Sequence, residues 1–361
     1  MRVVLTTGGT GGHIFPALAV AEELRRRHPD GELLFLGGTY GPEGRMAAEA
    51  DIPFRALAAR GVIGRGVRSV GSIFWITRSL LESLWILWRF KPQAVIGFGG
   101  YASFCPVLAA TWLGIPTLIH EQNSMPGVVN RALGRYARMV LISYPDERHC
   151  FDQAKTEHTG NPVRAAIRRL RAQAADQSPM GRRVLVIGGS QGSKTLNDAV
   201  VRDLPNLVKG GVELWHQTGE KDLESVRRSY ADQGLTTAKV DPFIKDMAAA
   251  YGWADLVVCR AGATTLSELT VAGKPSLLVP FPHATHDHQT LNAQALAERG
   301  AALMVREERL AATSLSSIIL PLLEPERLLE MGRSAAMLGM PDAAERVADA
   351  LEAAAAEGAV K

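Results

Sequence analysis

Twice along this chain a short run of β-branched and other apolar residues breaks off into a glycine-rich turn. No other feature narrows the choice of fold so far. Val3-Val4-Leu5 leads into Gly8-Gly9-Thr10-Gly11-Gly12, and Val184-Leu185-Val186-Ile187 leads into Gly188-Gly189-Ser190-Gln191-Gly192. Unbroken apolar strands belong to parallel sheets covered on both faces by helices. A second pair of elements keeps the same order. Ala94-Val95-Ile96 runs into Gly97-Phe98-Gly99-Gly100, and Leu256-Val257-Val258-Cys259 into Arg260-Ala261-Gly262. Each is followed by a helical stretch, then Gly114-Ile115-Pro116 or Gly273-Lys274-Pro275, then another apolar strand. The expected architecture is α/β: two Rossmann-like, doubly wound parallel-sheet domains facing each other across a cleft.

The length supports two domains. A chain of 361 residues is too long for one ordinary core and suits two of ~150–180 residues. Asn161-Pro162 breaks structure, residues 165–178 read as a basic, Ala-rich helical connector, and Ser178-Pro179-Met180-Gly181 opens the second half. The expected division is 1–163 and 164–341, with an Ala/Glu-rich helix over about 342–361 packing back on the first domain. With 47% hydrophobic and 21% charged residues the chain is a folded protein rather than a disordered one. A formal net charge of +3 gives no reason to expect nucleic acid. Cys105, Cys150 and Cys259 are too scattered for a zinc knuckle or a disulfide framework and read as buried thiols in a reducing cytoplasm. The opening MRVVLTTGG enters a strand directly, without an apolar signal segment, so a cytoplasmic location is expected.

A glycine turn between strand and helix lets backbone N–H groups close on an anion at the helix N-terminus. Two such turns suggest a ligand with a diphosphate. A dinucleotide fold would need G-x-G-x-x-G and an acidic residue closing the second strand. Gly9-Thr10-Gly11-Gly12-His13-Ile14 and Gly188-Gly189-Ser190-Gln191-Gly192-Ser193 both fail that pattern, and Leu33-Leu34-Phe35-Leu36 ends in Gly37-Gly38-Thr39 without a carboxylate. Neither glycine run is followed by the Gly-Lys-Ser/Thr of a P-loop. A nucleotide-sugar remains.

The run Gly8 to Pro16, GGTGGHIFP, resembles the amino-terminal signature of the MurG family of UDP-N-acetylglucosamine transferases, which convert lipid I to lipid II in peptidoglycan synthesis. Further resemblances follow in order: Gly99-Gly100-Tyr101, His120-Glu121-Gln122-Asn123, Gly160-Asn161-Pro162-Val163-Arg164, the second glycine turn, Pro242-Phe243-Ile244, Arg260-Ala261-Gly262-Ala263, Ser267-Glu268, and Asp287-His288-Gln289 with Asn292-Ala293. They span nearly the whole chain. One departure is the His-rich loop His283-Ala284-Thr285-His286-Asp287. The resemblance implies a GT-B fold, inversion at the anomeric carbon, no tightly bound metal, and at most a non-essential divalent cation. The expected partners are UDP-GlcNAc, the lipid-linked muramyl acceptor lipid I, and other proteins of cell-wall synthesis and division. The expected location is peripheral, on the cytoplasmic face of the bacterial inner membrane.

His13 follows the first glycine turn, where a neutral imidazole would serve as general base for the attacking hydroxyl or, more blandly, cap the helix or touch phosphate. The backbone at Ser190 and a cation, Arg164 or Arg260, would meet the charge on departing UDP, although either arginine could equally be a structural ion pair. By resemblance, Glu121 and Tyr101 join His13 in catalysis. The donor side takes in Thr10, Gly11, Gly12, Asn123, Phe243, Ile244, Ala263 and Thr264, with Glu268 on the ribose and Gln289 and Asn292 on sugar hydroxyls. The acceptor side takes in His120, Asn130 and Asn197. His283, His286, Asp287 and His288 match no common metal spacing.

Ile73–Phe90 is apolar but holds Arg78 and Glu82 and falls short of a clean span of ~20 residues. Trp75, Trp85 and Trp88, with Arg78, Arg89 and the basic residues around Gly61–Gly71, suit an anionic membrane surface. The same aromatics at helical spacing could instead fill a core.

Overall fold

The computed structural model describes residues 1–58, 70–174, 182–235, 238–284 and 287–358. Arg60, Arg65, Arg68, Ser178–Gly181 and His286 therefore lie outside the described residues. The chain divides into two compact units, Met1–Arg164 with Pro341–Lys361, and Ala165–Met340. Arg164 thus belongs to the first unit, one residue past the expected boundary. Its guanidinium lies 4.2 Å from the centroid of the Phe15 ring in that unit, which holds it there.

Among the described residues the first unit carries β1 (Arg2–Thr6), β2 (Glu32–Gly38), β3 (Phe54–Leu57), β4 (Ala94–Gly97), β5 (Thr117–Glu121), β6 (Met139–Ile142) and β7 (Thr156–His158). They pair in parallel in the order β3-β2-β1-β4-β5-β6-β7. The second unit carries β8 (Arg183–Ile187), β9 (Glu213–Gln217), β10 (Lys239–Asp241), β11 (Leu256–Cys259), β12 (Ser276–Leu278) and β13 (Ala302–Met304). Their order is β10-β9-β8-β11-β12-β13, again parallel. The apolar runs read from the sequence are the central strands. Val3, Val4 and Leu5 are buried on both faces, as are Val184, Leu185 and Val186.

Both sheets reverse their winding at one place, between β1 and β4 and between β8 and β11. The loops leaving these strands diverge there and open a crevice at the strands' carboxyl ends. The glycine turns leave β1 and β8; Gly99-Gly100 and Arg260-Ala261-Gly262 leave β4 and β11. Glycine is required where these backbones meet. Gly100 has φ 78°, and a Cβ there would lie 1.9 Å from the Gly8 carbonyl oxygen.

The Gly11–Arg27 helix lays Ile14, Ala17, Val20, Ala21 and Leu24 on the first sheet, the spacing of one helical face. The Ala343–Gly358 helix joins the same core through Val347, Ala348, Leu351 and Ala354. Arg27 clamps the two helices together, reaching Glu23 at 2.6 Å, Asp349 at 2.5 Å and Glu352 at 3.1 Å.

The Val70–Phe90 helix buries Ser79, Ser83 and Leu87 against the domain. The opposite stripe is open: Phe74 is 61% exposed, Leu81 61%, Trp85 60% and Trp88 67%. Steps of seven, four and three residues place these four on one face. Among the described residues no helix is long and apolar enough to cross a membrane.

The two hydrogen bonds from Arg26, with one from Arg27, hold the buried Glu23 carboxyl down to about 2 against an ordinary 4.5. A lowered folded value means this contribution is complete above about pH 4.5 and lost as pH falls toward about 2. Urea unfolding of the full chain across that interval should show stability falling with pH, and Glu23→Gln should flatten the fall.

Candidate active site

In the first unit a chain of polar groups starts at the helix that follows the first glycine turn. His13 Nδ1 lies 2.7 Å from Gln122 Oε1. Gln122 Nε2 lies 3.0 Å from His120 Nδ1 and 3.1 Å from the His120 carbonyl oxygen. His120 Nε2 lies 2.9 Å from the Gly160 carbonyl oxygen. His120 is fully buried, and desolvation pushes its pKa down to about 4, so it is neutral at physiological pH. Gly99 brings the β4 loop against the His13 imidazole: a Cβ on it would sit 3.5 Å from that ring.

The carboxylate of Glu121 faces away from this chain and organises the loop after β5. Oε1 accepts from the Asn123 backbone N–H at 3.0 Å and from its side chain at 3.1 Å. Oε2 accepts from the Gly127 N–H at 3.0 Å and from Asn130 Nδ2 at 2.9 Å. The first glycine turn has its own carboxylate. Glu43, buried, accepts the Gly9 N–H at 2.7 Å, so that donor is engaged within the protein. Thr10 is the helix N-cap and makes no side-chain capping bond. Tyr101 is half-buried, with its hydroxyl against Gly38. Burial first and Glu43 second raise its pKa, which keeps the phenol neutral.

In the second unit the Gly192 N–H closes the turn onto the Gly189 carbonyl at 2.9 Å, and Gln217 braces that carbonyl at 2.8 Å. Residues 189–191 at its apex are exposed. Ser193 caps the next helix by accepting from the Leu196 N–H at 3.4 Å. Arg260 donates to Ser193 Oγ at 2.7 Å and to the Val279 and Pro280 carbonyls at 3.3 and 3.2 Å. It also pairs with Glu307. Glu268 is buried in the Ala263–Ala272 helix and accepts from Tyr251 Oη at 3.0 Å. Thr264 and Ala263 are buried in the first turn of that helix, Phe243 is exposed and Ile244 is buried.

Both units match one family. Residues 3–142 match the glycosyltransferase family 28 N-terminal domain, and residues 183–347 match the glycosyltransferase family 28 C-terminal domain. The chain belongs to glycosyltransferase family 28. A relative from Nitratidesulfovibrio vulgaris, named UDP-N-acetylglucosamine–N-acetylmuramyl-(pentapeptide) pyrophosphoryl-undecaprenol N-acetylglucosamine transferase, is 52% identical over 97% of this chain and 96% of its own. The protein of the same name from Solidesulfovibrio magneticus is 50% identical over 98% of each chain. The crystal structure of Acinetobacter baumannii MurG superposes with a TM-score of 0.76 at 34% identity, covering 97% of this chain and 99% of the other. With two parallel sheets and these neighbours, the fold of this family 28 chain is GT-B.

Several residues expected to touch substrate also make hydrogen bonds within their own unit. Asn197 donates to the Thr218 carbonyl at 2.9 Å and to Asp222 at 2.8 Å, and pairs with His216 at 3.0 Å, all in the second unit and buried. Asn292 is fully buried, its amide nitrogen directed at the Ala261 carbonyl 3.5 Å away, and its Oδ1 has no hydrogen-bond partner in the protein. Gln289 Oε1 accepts the Phe281 N–H at 3.0 Å. His120 has both ring nitrogens engaged, and Glu121 has both oxygens engaged twice. Asn130 Nδ2 binds the His120 carbonyl at 3.0 Å as well as Glu121. Its Oδ1 is buried without a partner.

Two residues of these hydrogen-bonded clusters were not singled out from the sequence. Gln122 could have been, because the period of two along a strand sets it on the face of His120. Glu43 carries no local signal; it meets Gly9 across 34 positions. Because Arg260 ties three segments together and pairs with Glu307, Arg260→Met should destabilise the ligand-free chain by roughly 3 kcal/mol in urea unfolding.

Proposed function

We propose that this chain transfers N-acetylglucosamine from UDP-GlcNAc to the 4-hydroxyl of the lipid-linked N-acetylmuramyl-peptide, inverting the anomeric centre. The end-to-end match to transferases of that name carries the reading. In it the acceptor oxygen attacks the anomeric carbon, the bond from that carbon to the diphosphate breaks, and UDP departs with the charge. His13 takes the hydroxyl proton. Its engagement at Nδ1 by Gln122, with partial exposure of the ring, supports that role. The acceptor belongs to the first domain, with Tyr101, Asn123 and Asn130 beside it. The donor belongs to the second, with the exposed apex at Ser190, the Phe243 loop, and Thr264 and Glu268. Arg164 is assigned to the donor diphosphate. Backbone N–H groups at the helix start meet the leaving-group charge.

The Val70–Phe90 helix is the proposed membrane contact. Its exposed stripe of Phe74, Leu81, Trp85 and Trp88 would lie in the headgroup zone, with Trp75, Arg78 and Arg89 flanking it. Arg78 is bonded to Glu82 at 2.8 Å, so Arg89 carries the freer of these two charges. An acceptor anchored in the inner leaflet would then reach the protein at the cytoplasmic face.

The assay is release of UDP from UDP-GlcNAc with a short-chain lipid I analogue. Release should depend on acceptor, and chelating divalent cations should leave turnover. His13→Ala should lower kcat by about 10²–10⁴-fold. Conversion of UDP-GlcNAc to another UDP-sugar without acceptor and without net UDP release would favour an epimerase, and donor binding without turnover would favour a scaffold. Sedimentation with anionic vesicles should fall at least about tenfold in a Trp85→Gln, Trp88→Gln double variant, since each ring contributes roughly 1.5 kcal/mol or more when buried.

A further inference from the structure

The polar chain behind His13 has one consistent placement of its protons. A backbone carbonyl only accepts, so the end of the Gln122 amide 3.1 Å from the His120 carbonyl must be its nitrogen. The same rule puts a proton on His120 Nε2, which faces the Gly160 carbonyl at 2.9 Å. Neutral His120 then has a lone pair at Nδ1, which accepts the second amide N–H of Gln122 at 3.0 Å. The amide oxygen is left facing His13 Nδ1 at 2.7 Å, and an oxygen there requires an N–H on that nitrogen. In neutral His13 the lone pair is therefore on Nε2.

We propose that Gln122 is a positioning residue: anchored through buried His120 on the Gly160 carbonyl, it holds His13 in the tautomer whose Nε2 accepts the proton of the acceptor hydroxyl. This rests on His13 being the base. When Nε2 gains its proton, Nδ1–H still donates to the same oxygen, so the chain needs no rearrangement during the step. A ring whose task was to donate to phosphate while neutral would need the opposite tautomer, and Gln122 disfavours it. Gln122 and His120 are both buried, so water does not compete for these bonds.

The test uses the full chain labelled with nitrogen-15 at histidine, with His13→Gln to assign the His13 signals. At a pH above the histidine titration, wild-type His13 should show a protonated Nδ1 and an unprotonated Nε2. In Gln122→Leu, and in Gln122→Met, which keeps the length of the side chain, that preference should be lost. Their kcat should fall about 10–100-fold, the scale of a lost outer partner, with KM for UDP-GlcNAc roughly unchanged. A protonated Nε2 in the neutral wild-type ring overturns the proposal, as does a wild-type tautomer and kcat in both variants. If His13→Gln keeps the wild-type kcat, the base assignment itself falls. If His13→Gln is inactive while the Gln122 variants behave as wild type, only the relay falls.

Discussion

Two main chains that meet with no side chain between them set the geometry of the first domain's site. The Gly8 N–H donates to the Gly99 carbonyl at 3.2 Å, and Gly100 packs against the Gly8 carbonyl at a distance no Cβ allows. The second domain repeats the device: Gly192, at φ 76°, faces the Thr218 carbonyl where a Cβ would lie 2.0 Å away. Glycine costs chain entropy at such places and is retained because nothing else fits. Once the loops after β1 and β4 are locked together, the helix bearing His13 starts at a defined point beside the loop bearing Tyr101.

Around these contacts most polar side chains serve as frame. Glu121, Asn197 and Arg260 tie neighbouring segments together through bonds made within their own domain. Polar groups buried without partners would be expensive, so a loop rich in turns needs such internal acceptors and donors.

The fold was legible because its signal is local: unbroken apolar runs at Val3–Leu5 and Val184–Ile187, each cut by glycine, specify buried parallel strands. The bonds that Asn197 and Asn292 make inside their own unit were not, because either amide looks the same in sequence whether it meets a sugar or a carbonyl. Glu43 was invisible for a different reason, since its partner is a backbone N–H far along the chain. The Val70–Phe90 helix was ambiguous at the level of pattern, being apolar on two faces. Its inward face carries Ser79 and Ser83, small enough to pack closely, with Ser83 returning its hydroxyl to the Ser79 carbonyl at 2.7 Å. The large aromatics are left outside.

The chain leaves the first unit after Arg164 and comes back to it at Pro341. Its amino-terminal sheet therefore lacks one covering helix until the Ala343–Gly358 stretch has been made. During synthesis, which proceeds at about 5–20 residues per second, the central domain has its whole sequence available first. The first unit is begun before the second and completed after it, with the apolar flank of the Gly11–Arg27 helix waiting for Leu351 and its neighbours to emerge.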